Sequence, residues 1–592
     1  MEEHDDQLHR IRHSAAHVMA DAVLQMFPDA KFAIGPAIAD GFYYDFDLPR
    51  SLTPEDLEKL EATMREIIRG KYPFIRREVS ADEARRLFAG QPYKLELIEG
   101  LAKGQNEDGE AAGEAGAPPA QVISTYTHHN FTDLCRGPHV ENTGDIPIDG
   151  FKLLKIAGAY WRGDEHNPML QRIYGTAWNN AEELQAYLDR LAEIERRDHR
   201  RLGKQLDLFS MDPDIGPGLV LWHPNGAMVR HLIETFWKEE HLRRGYQLVY
   251  TPHIASEDIY KVSGHLEAYS DMMYAPMEIE GKPYRVKPMN CPGHIKIFQS
   301  QLRSYRDLPI RYAELGTVYR FERSGVLHGL LRVRGFTQDD SHLFCRPDQV
   351  KQELHGVLDL TDFMMKTFGY RYKAYLATRP EKYIGTDEEW SFATEQLRLA
   401  LEERGMPYEV DEGGGVFYGP KIDVKLFDVL GREWQGPTLQ LDLNLPVRFN
   451  ITYRGEDGQD HRVMILHRTV LGSMERFVGG LIEHYDGAFP VWLAPVQAIF
   501  IPIADRHIDY CKQHAATMRD AGLRVKVDDS GERMSAKIRM AQLQKIPYML
   551  VVGDREMQSG SVAVRLRSGE DLGSKPVAEF TAMAVEVARR RA

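Results

Sequence analysis

Leu331 to Phe344 reads Leu-Arg-Val-Arg-Gly-Phe-Thr-Gln-Asp-Asp-Ser-His-Leu-Phe. Side chains of a strand alternate between its faces, so Arg332, Arg334, Phe336, Gln338, Asp340 and His342 share one face. A core-facing strand carries apolar groups at every second position, whereas this one carries cations, a ring, an amide, an acid and an imidazole. The chain must therefore fold around a sheet with one chemically active face. The preceding segment, Ile310 to Glu322, gives Arg320 and Glu322 matching parity, and Arg323 to Leu330 holds Gly325 and Gly329 for a turn. Together they read as an antiparallel hairpin that holds a polyanion beside a flat ring.

With 592 residues the chain is too long for one core, and roughly three to five domains are expected. A composition 43% apolar and 27% charged excludes a disordered or collagen-like chain. The formal charge of −14 disfavours non-specific wrapping of nucleic acid but leaves a local basic surface open. The longest strongly apolar stretch, Phe489 to Ala504, contains Pro490, Pro495, Gln497 and Pro502, so no uninterrupted span of ~20 residues is expected in a membrane. The acidic opening Met1-Glu2-Glu3-His4-Asp5-Asp6 is unlike an export signal. Four scattered cysteines, Cys135, Cys291, Cys345 and Cys511, fit a reducing compartment, and the reading is cytoplasmic.

Along the chain, Lys103 to Ala120 is rich in Gly, Ala, Glu and Pro and reads as a mobile surface loop. From Asn180 to Lys204 apolar residues recur at helical spacing and end in Arg196-Arg197-Asp198-His199-Arg200-Arg201, a basic connecting helix that is either solvated or RNA-facing. Residues 205 to 490 read as an antiparallel or mixed α+β block, and the last hundred as a small parallel α/β domain. Further on, Gly472-Ser473-Met474-Glu475-Arg476-Phe477 opens a helix with Arg476 in its first turn, where an arginine can grip a phosphate.

Arg320-x-Glu322, Phe336 and Arg476 resemble motifs 2 and 3 of class II aminoacyl-tRNA synthetases. Met289-Asn-Cys-Pro-Gly-His294 and Gly335-Phe-Thr-Gln-Asp-Asp-Ser-His342 resemble the threonyl-tRNA synthetases over nearly the full length. The resemblance implies an α+β multidomain chain: an editing domain at 1–178, a linker helix at 179–204, a class II antiparallel-sheet core at 205–492 and an α/β anticodon-binding domain at 493–592. It implies that Arg320 holds the α-phosphate of ATP, Arg476 the γ-phosphate, Phe336 stacks on adenine, and Glu322 and Arg332 complete the ATP site, with Mg²⁺ accompanying ATP. Lys421 is implied beside the reacting groups. Helix Met228 to Arg244 followed by Tyr250-Thr-Pro252 resembles motif 1, which implies a homodimer.

Cys291, His342 and His467 follow no spacing rule; the resemblance implies them as ligands of one catalytic Zn²⁺ per subunit, with Gln338, Asp340, Tyr418, Gln440 and Ser473 lining the threonine pocket. Such a site refuses valine through the missing hydroxyl but leaks serine. His13-Ser-Ala-Ala-His17 with Cys135-Arg-Gly-Pro-His139 reads, on spacing, as a zinc set. The resemblance instead implies a metal-free site, with Lys94 and Asp133, that hydrolyses seryl-tRNA. Glu556 and Arg565 match anticodon-reading positions, and ion pairing on the surface is the alternative for them. Arg533-Met-Ser-Ala-Lys537 is similar to a class I signature but has no partner motif and reads as coincidence. For Cys345 and Cys511 inert, buried thiols are expected.

The family's usual ubiquitin-like N-terminal domain has no counterpart before His13. Two rival readings differ in what they need. A seryl or prolyl class II enzyme would not require the Cys291, His342 and His467 set, and a silent RNA-binding paralogue would not require Arg320 and Arg476.

Overall fold

The computed structural model describes residues 2–103 and 122–591, so the expected loop at Lys103 to Ala120 lies outside the described residues apart from Lys103. Two units emerge, Met1–Glu193 and Ile194–Ala592.

In the first unit the Glu2–Met26 helix turns Ile11, Ala15, Val18 and Ala22 inward at helical spacing, and all four are buried. A second row at four-residue steps carries His9, His13, His17 and Asp21. The main sheet is antiparallel and runs Lys31–Phe32, Gly41–Asp47, Met169–Ala177, Phe151–Tyr160, with Ala37–Ile38 also paired to Gly41–Asp47. A separate sheet of Ile75–Val79, Ile123–His128 and Phe131–Leu134 turns through His129 and Asn130. His129 takes the left-handed φ of 46° that a two-residue hairpin turn requires. That turn returns the chain to Asp133 and Cys135.

The second unit is built on an eight-stranded sheet in the order Gln247–Leu248, Ile310–Tyr319, Gly335–Cys345, Met464–Thr469, Glu433–Asp442, Lys421–Phe427, Arg371–Ala377, Tyr408–Asp411. It is antiparallel except for its two outermost pairs. Tyr312, His342, His467, Gln440 and Lys421 stand opposite one another across five strands, so their side chains leave the same face. On the other face Leu343, Leu439, Leu441 and Leu466 join one hydrophobic cluster with helices Pro224–Arg243, Val350–Thr367 and Asp387–Glu403. One face packed on helices and one carrying the polar row is the division the polar strand demanded, and the second face is itself covered at Ile310, Phe344 and Ile465 by residues of the Cys291–Gln299 helix.

Several local expectations change. The hairpin strands stop at Tyr319 and resume at Gly335 rather than reaching Glu322 and Leu331. Beyond Arg320, side chains replace the ladder: Arg334 Nε donates to the Glu322 carbonyl, and Arg334 N to that of Gly218. The connecting helix is two helices, Ala181–Arg197 and His199–Gln205, because Asp198 caps the second by accepting from Arg200 N. The helix expected from Met228 starts at Pro224, which suits a first helical position. The C-terminal sheet runs Val525–Val527, Ala498–Pro502, Tyr548–Val552, Ser561–Leu566, Asp571–Pro576. Its first three strands are parallel as expected, but the last two add an antiparallel hairpin, entered where Gly560 (φ 63°) ends the short Asp554–Ser559 helix. Among the described residues, no helix is long and apolar enough to cross a membrane.

Candidate functional site

Cys291, at the start of the Cys291–Gln299 helix, comes together with His342 and His467 from neighbouring strands, their donor atoms within 4.8 Å of one another. His342 Nε2 faces His467 Nδ1 at 2.8 Å. The far nitrogens are committed elsewhere: His467 Nε2 lies 2.6 Å from Asp442 Oδ2, and His342 Nδ1 lies 2.7 Å from His294 Nδ1, whose Nε2 lies 3.0 Å from Glu314 Oε2. If each carboxylate accepts a proton-bearing nitrogen, His342 Nε2 and His467 Nδ1 are left as opposed lone pairs. A positive charge between them removes that repulsion. Burial lowers His467, but the bond and charge of Asp442 together with Cys291 outweigh it and hold His467 above its ordinary value, while burial beside His467 and His294 drives His342 well below. A soft cation held by thiolate and two imidazoles, each braced by a carboxylate, fits the same donors.

Beside this cluster, a cavity of about 210 Å³ is lined by Cys291, His467, Tyr418, His265 and Tyr269 among others. Asp340, two residues before His342 on the same strand face, is 8% exposed. Its carboxylate accepts from Asn290 Nδ2 (3.2 Å) and stands 4.0 Å from His342, with no lysine or arginine ion pair among the described residues. Asn290 crowds Gly316 so closely that a Cβ there would lie 2.5 Å from Asn290 Oδ1. Gln338 bridges to Ser473 through the backbone, and Gln440 Nε2 is buried without a partner. Lys421 shares the row with Gln440, but its ammonium is tied to Asp423 at 2.6 Å.

The arginines gather at the open end of the hairpin. Arg320 lies with its guanidinium 5.2 Å from the Phe336 ring centre. Arg332 pairs with Glu322 at 3.0 Å, and Arg476 Nε donates to the Leu331 carbonyl at 3.1 Å. Ser473 caps the Met474–His484 helix by accepting from Arg476 N, which fixes Arg476 in the first turn. Burial, with the charges of Arg320 and Arg332, lowers Arg476 against the opposing pull of Glu322. Three guanidiniums repel one another across a partly dry site, a repulsion that a bound polyanion would relieve.

In the first unit, His13, His17, Cys135 and His139 also bring donor atoms within 4.8 Å. Cys135 Sγ is 3.2 Å from His13 Nε2 and 3.3 Å from His139 Nε2, and Ser14 Oγ is 3.0 Å from His139 Nδ1. Lys94 and Asp133 form a buried ion pair at 2.6 Å. Tyr44, which the sequence did not single out, donates to Asp133 at 2.5 Å. His9, His13, His17, Lys94, Asp133 and Cys135 line a cavity of about 380 Å³. Burial, aided by neighbouring histidines, lowers His13 to about 4 and His139 to about 2, and it also pushes His17 well down. The pocket therefore holds neutral imidazoles around one charged pair.

Glu556 accepts from Gly553 N at the start of its own helix (3.0 Å), and exposed Arg565 pairs with Asp571 at 3.3 Å. Lys537, in the class I look-alike, is buried and donates to the Asp528 carbonyl at 2.9 Å. Cys345 and Cys511 are buried thiols, Cys511 pushed up to about 12 by burial. Sequence reasoning missed Asp442, Glu314 and the brace role of His294. The first two are ordinary strand carboxylates until the sheet register is known, and His294 had no signal beyond its place in the Met289–His294 motif.

A family profile described as the tRNA synthetase class II core domain (G, H, P, S and T) matches residues 275–485. Others match the anticodon binding domain at 497–586 and the threonyl and alanyl tRNA synthetase second additional domain at 123–174. Together with the largely antiparallel eight-stranded sheet and its arginines, these define a class II aminoacyl-tRNA synthetase. A threonine–tRNA ligase of Dehalococcoides mccartyi is 58% identical over 574 residues, 97% of this chain and 95% of the relative. That of Nitrosococcus oceani is 52% identical over 588 residues, 99% and 88% of the two chains. The solved RNA binding domain of threonyl-tRNA synthetase from Cryptosporidium parvum matches with a TM-score of 0.63 and 39% identity, covering 66% of this chain and 98% of that one. The chain belongs to the threonine–tRNA ligase family, whose activity is tRNA charging.

Proposed function

We propose that this chain activates L-threonine with ATP and Mg²⁺, transfers it to tRNA from the adenylate, and hydrolyses mischarged seryl-tRNA. The observation that carries the choice of amino acid is the opposed pair of histidine nitrogens beside Cys291, which calls for a cation next to a cavity and near Asp340, a carboxylate with no lysine or arginine ion pair among the described residues. Zn²⁺ held by Cys291, His342 and His467, one per subunit, supplies when bound a Lewis acid with open positions for an amine and a hydroxyl.

The chain's own residues do the rest. Asp340 meets the substrate ammonium, while Gln338, Tyr418, Gln440 and Ser473 shape the pocket. Arg320 and Arg476 draw negative charge from the α- and γ-phosphates, Arg332 and Glu322 steady the triphosphate, and Phe336 offers its ring to adenine once Arg320 swings to the phosphate. Attack of a carboxylate on the α-phosphorus needs orientation and charge neutralisation rather than a general base. Lys421 joins the reacting groups only by exchanging Asp423 for phosphate. A site that reads the hydroxyl rejects valine by ~10⁴ or more, but the methyl that serine lacks is worth only roughly 10 to 200-fold. Serine leakage gives the first unit its purpose: His13, His17, Cys135 and His139 orient a water, and Lys94 with Asp133 holds the aminoacyl end.

We further propose editing in residues 1–178, a linker at 179–204, the catalytic core at 205–492 and anticodon recognition at 493–592 through Glu556 and Arg565, each giving up its present partner. A homodimer through the Pro224–Arg243 helix and a cytoplasmic location, where tRNA is charged, complete the reading. Amino-acid-dependent pyrophosphate exchange with threonine, serine, valine and proline, before and after chelation, tests it. Threonine should lead, serine should follow, and both should fall on chelation. Exchange led by proline, or untouched by chelation, refutes it. His13→Ala should leave threonylation intact while seryl-tRNA accumulates; undiminished deacylation would remove His13 from the hydrolytic pocket.

A further inference from the structure

Within the basic run Arg196 to Arg201, Arg196 and Arg197 are held by distant partners, while Arg200 and Arg201 are exposed. Arg196 pairs with Asp486 at 2.7 Å, and Arg197 Nη1 donates to the carbonyls of Glu483 and His484, at the C-terminal end of the helix that begins with Ser473 and Arg476. A cation at a helix C-terminus is favoured by the unpaired carbonyls there. The second short helix begins with His199, which is fully buried.

Both nitrogens of His199 are used. Leu330 N donates to Nε2 at 3.0 Å, so Nε2 is the acceptor, and Nδ1 carries the proton that goes to Glu483 Oε1 at 2.6 Å. His199 N donates to the same oxygen at 3.1 Å, and Arg432 Nη2 holds the other at 2.5 Å. Asp198, His199 and Glu483 lie close enough to share an ion, but these bonds account for the imidazole without one. Leu330 is the tip of the arginine-bearing loop. On one side, Gly329 (φ 46°) passes so close that a Cβ would meet His199 Nε2 at 2.1 Å. On the other side, Leu331 O accepts from Arg476 Nε, and Arg332 N donates to the carbonyl of His328. The tip thus rests on two supports, one arginine that faces ligand and one histidine behind it.

We propose that His199 is a positioning residue for ATP: it fixes the 328–332 turn against the Met474–His484 helix, so that Arg320, Arg332 and Arg476 converge on one triphosphate. This rests on those arginines being the ATP ligands. Kinetics of pyrophosphate exchange separate the two ideas. Arg320→Ala that leaves KM for ATP unchanged overturns the ATP reading and the proposal with it. Given a response there, His199→Ala should raise KM for ATP by roughly tenfold or more and leave KM for threonine within about twofold. His199→Gln keeps an acceptor for Leu330 N and should recover most of the loss, whereas His199→Asn keeps only the donor to Glu483 and should not. A role in core packing alone would move both substrates and treat Gln and Asn alike, and that result overturns the proposal. Gly329→Ala tests the same contact from the loop, by driving a Cβ against His199 Nε2; it should weaken ATP selectively, and an unchanged KM for ATP overturns the proposal.

Discussion

Cys291, His342 and His467 in the second unit and His13, His17, Cys135 and His139 in the first have nearly the same donors and opposite surroundings. In the second unit, carboxylates stand behind the imidazoles: Asp442 behind His467, and Glu314, through His294, behind His342. Those acids fix which nitrogen bears the proton and turn the lone pairs toward a common centre. In the first unit, Ser14 is behind His139, and the Nδ1 atoms of His13 and His17 are buried without a carboxylate partner. Its acid, Asp133, stands on the pocket side with Lys94 and Tyr44. Donor identity and spacing do not tell the two sets apart; the groups standing behind the donors do.

The largest expected effect comes from deleting a donor. Cys291→Ala should lower the zinc content read by elemental analysis from one per chain to none and cut threonine activation by ~10³ or more. Deacylation of seryl-tRNA should persist. A second zinc per chain that survives this substitution would break the contrast between the two clusters.

Next comes the layer behind. Asp442→Asn should weaken zinc binding by roughly 10 to 100-fold in a chelator competition, since it removes the acid that orients His467. Ser14→Ala, the nearest equivalent in the first unit, should leave metal content unchanged and slow deacylation by less than that. Equal loss of metal from both variants would mean that the two sites are built alike.

The smallest effect is on stability. Burial holds His13 and His128 near 4, below the ordinary 6.5. The unfolded chain therefore binds more protons than the native one below about pH 6.5, so their contribution is complete above that pH and is lost as the pH falls through about 4. Hydrogen exchange across residues 2–103 should reveal opening that grows as the pH falls through this window. His128→Asn should flatten the dependence, and a slope of the opposite sign would mean that these imidazoles are charged in the folded state.

The basic run from Arg196 to Arg201 marks a limit of reading the chain alone. Its charge suggests solvent or RNA, yet Arg196, Arg197 and His199 are engaged by Asp486, the last carbonyls of a helix, and Glu483, all nearly three hundred residues away in sequence. No local pattern carries that information.

What the sequence by itself determined is whatever repeats over a few residues. Period two put Phe336, Gln338, Asp340 and His342 on one face, and helical spacing put His13 above His17 and Arg476 in a first turn. Such patterns are local because backbone geometry generates them. The pairing of His342 with His467, 125 residues apart, was decided by the register of strands across the sheet. So were the placement of Asp442 and Glu314 behind the donors and the capture of Leu330 by His199. Those choices belong to the tertiary structure because packing of the buried face, not any neighbour in the chain, fixes which strands align and in what register.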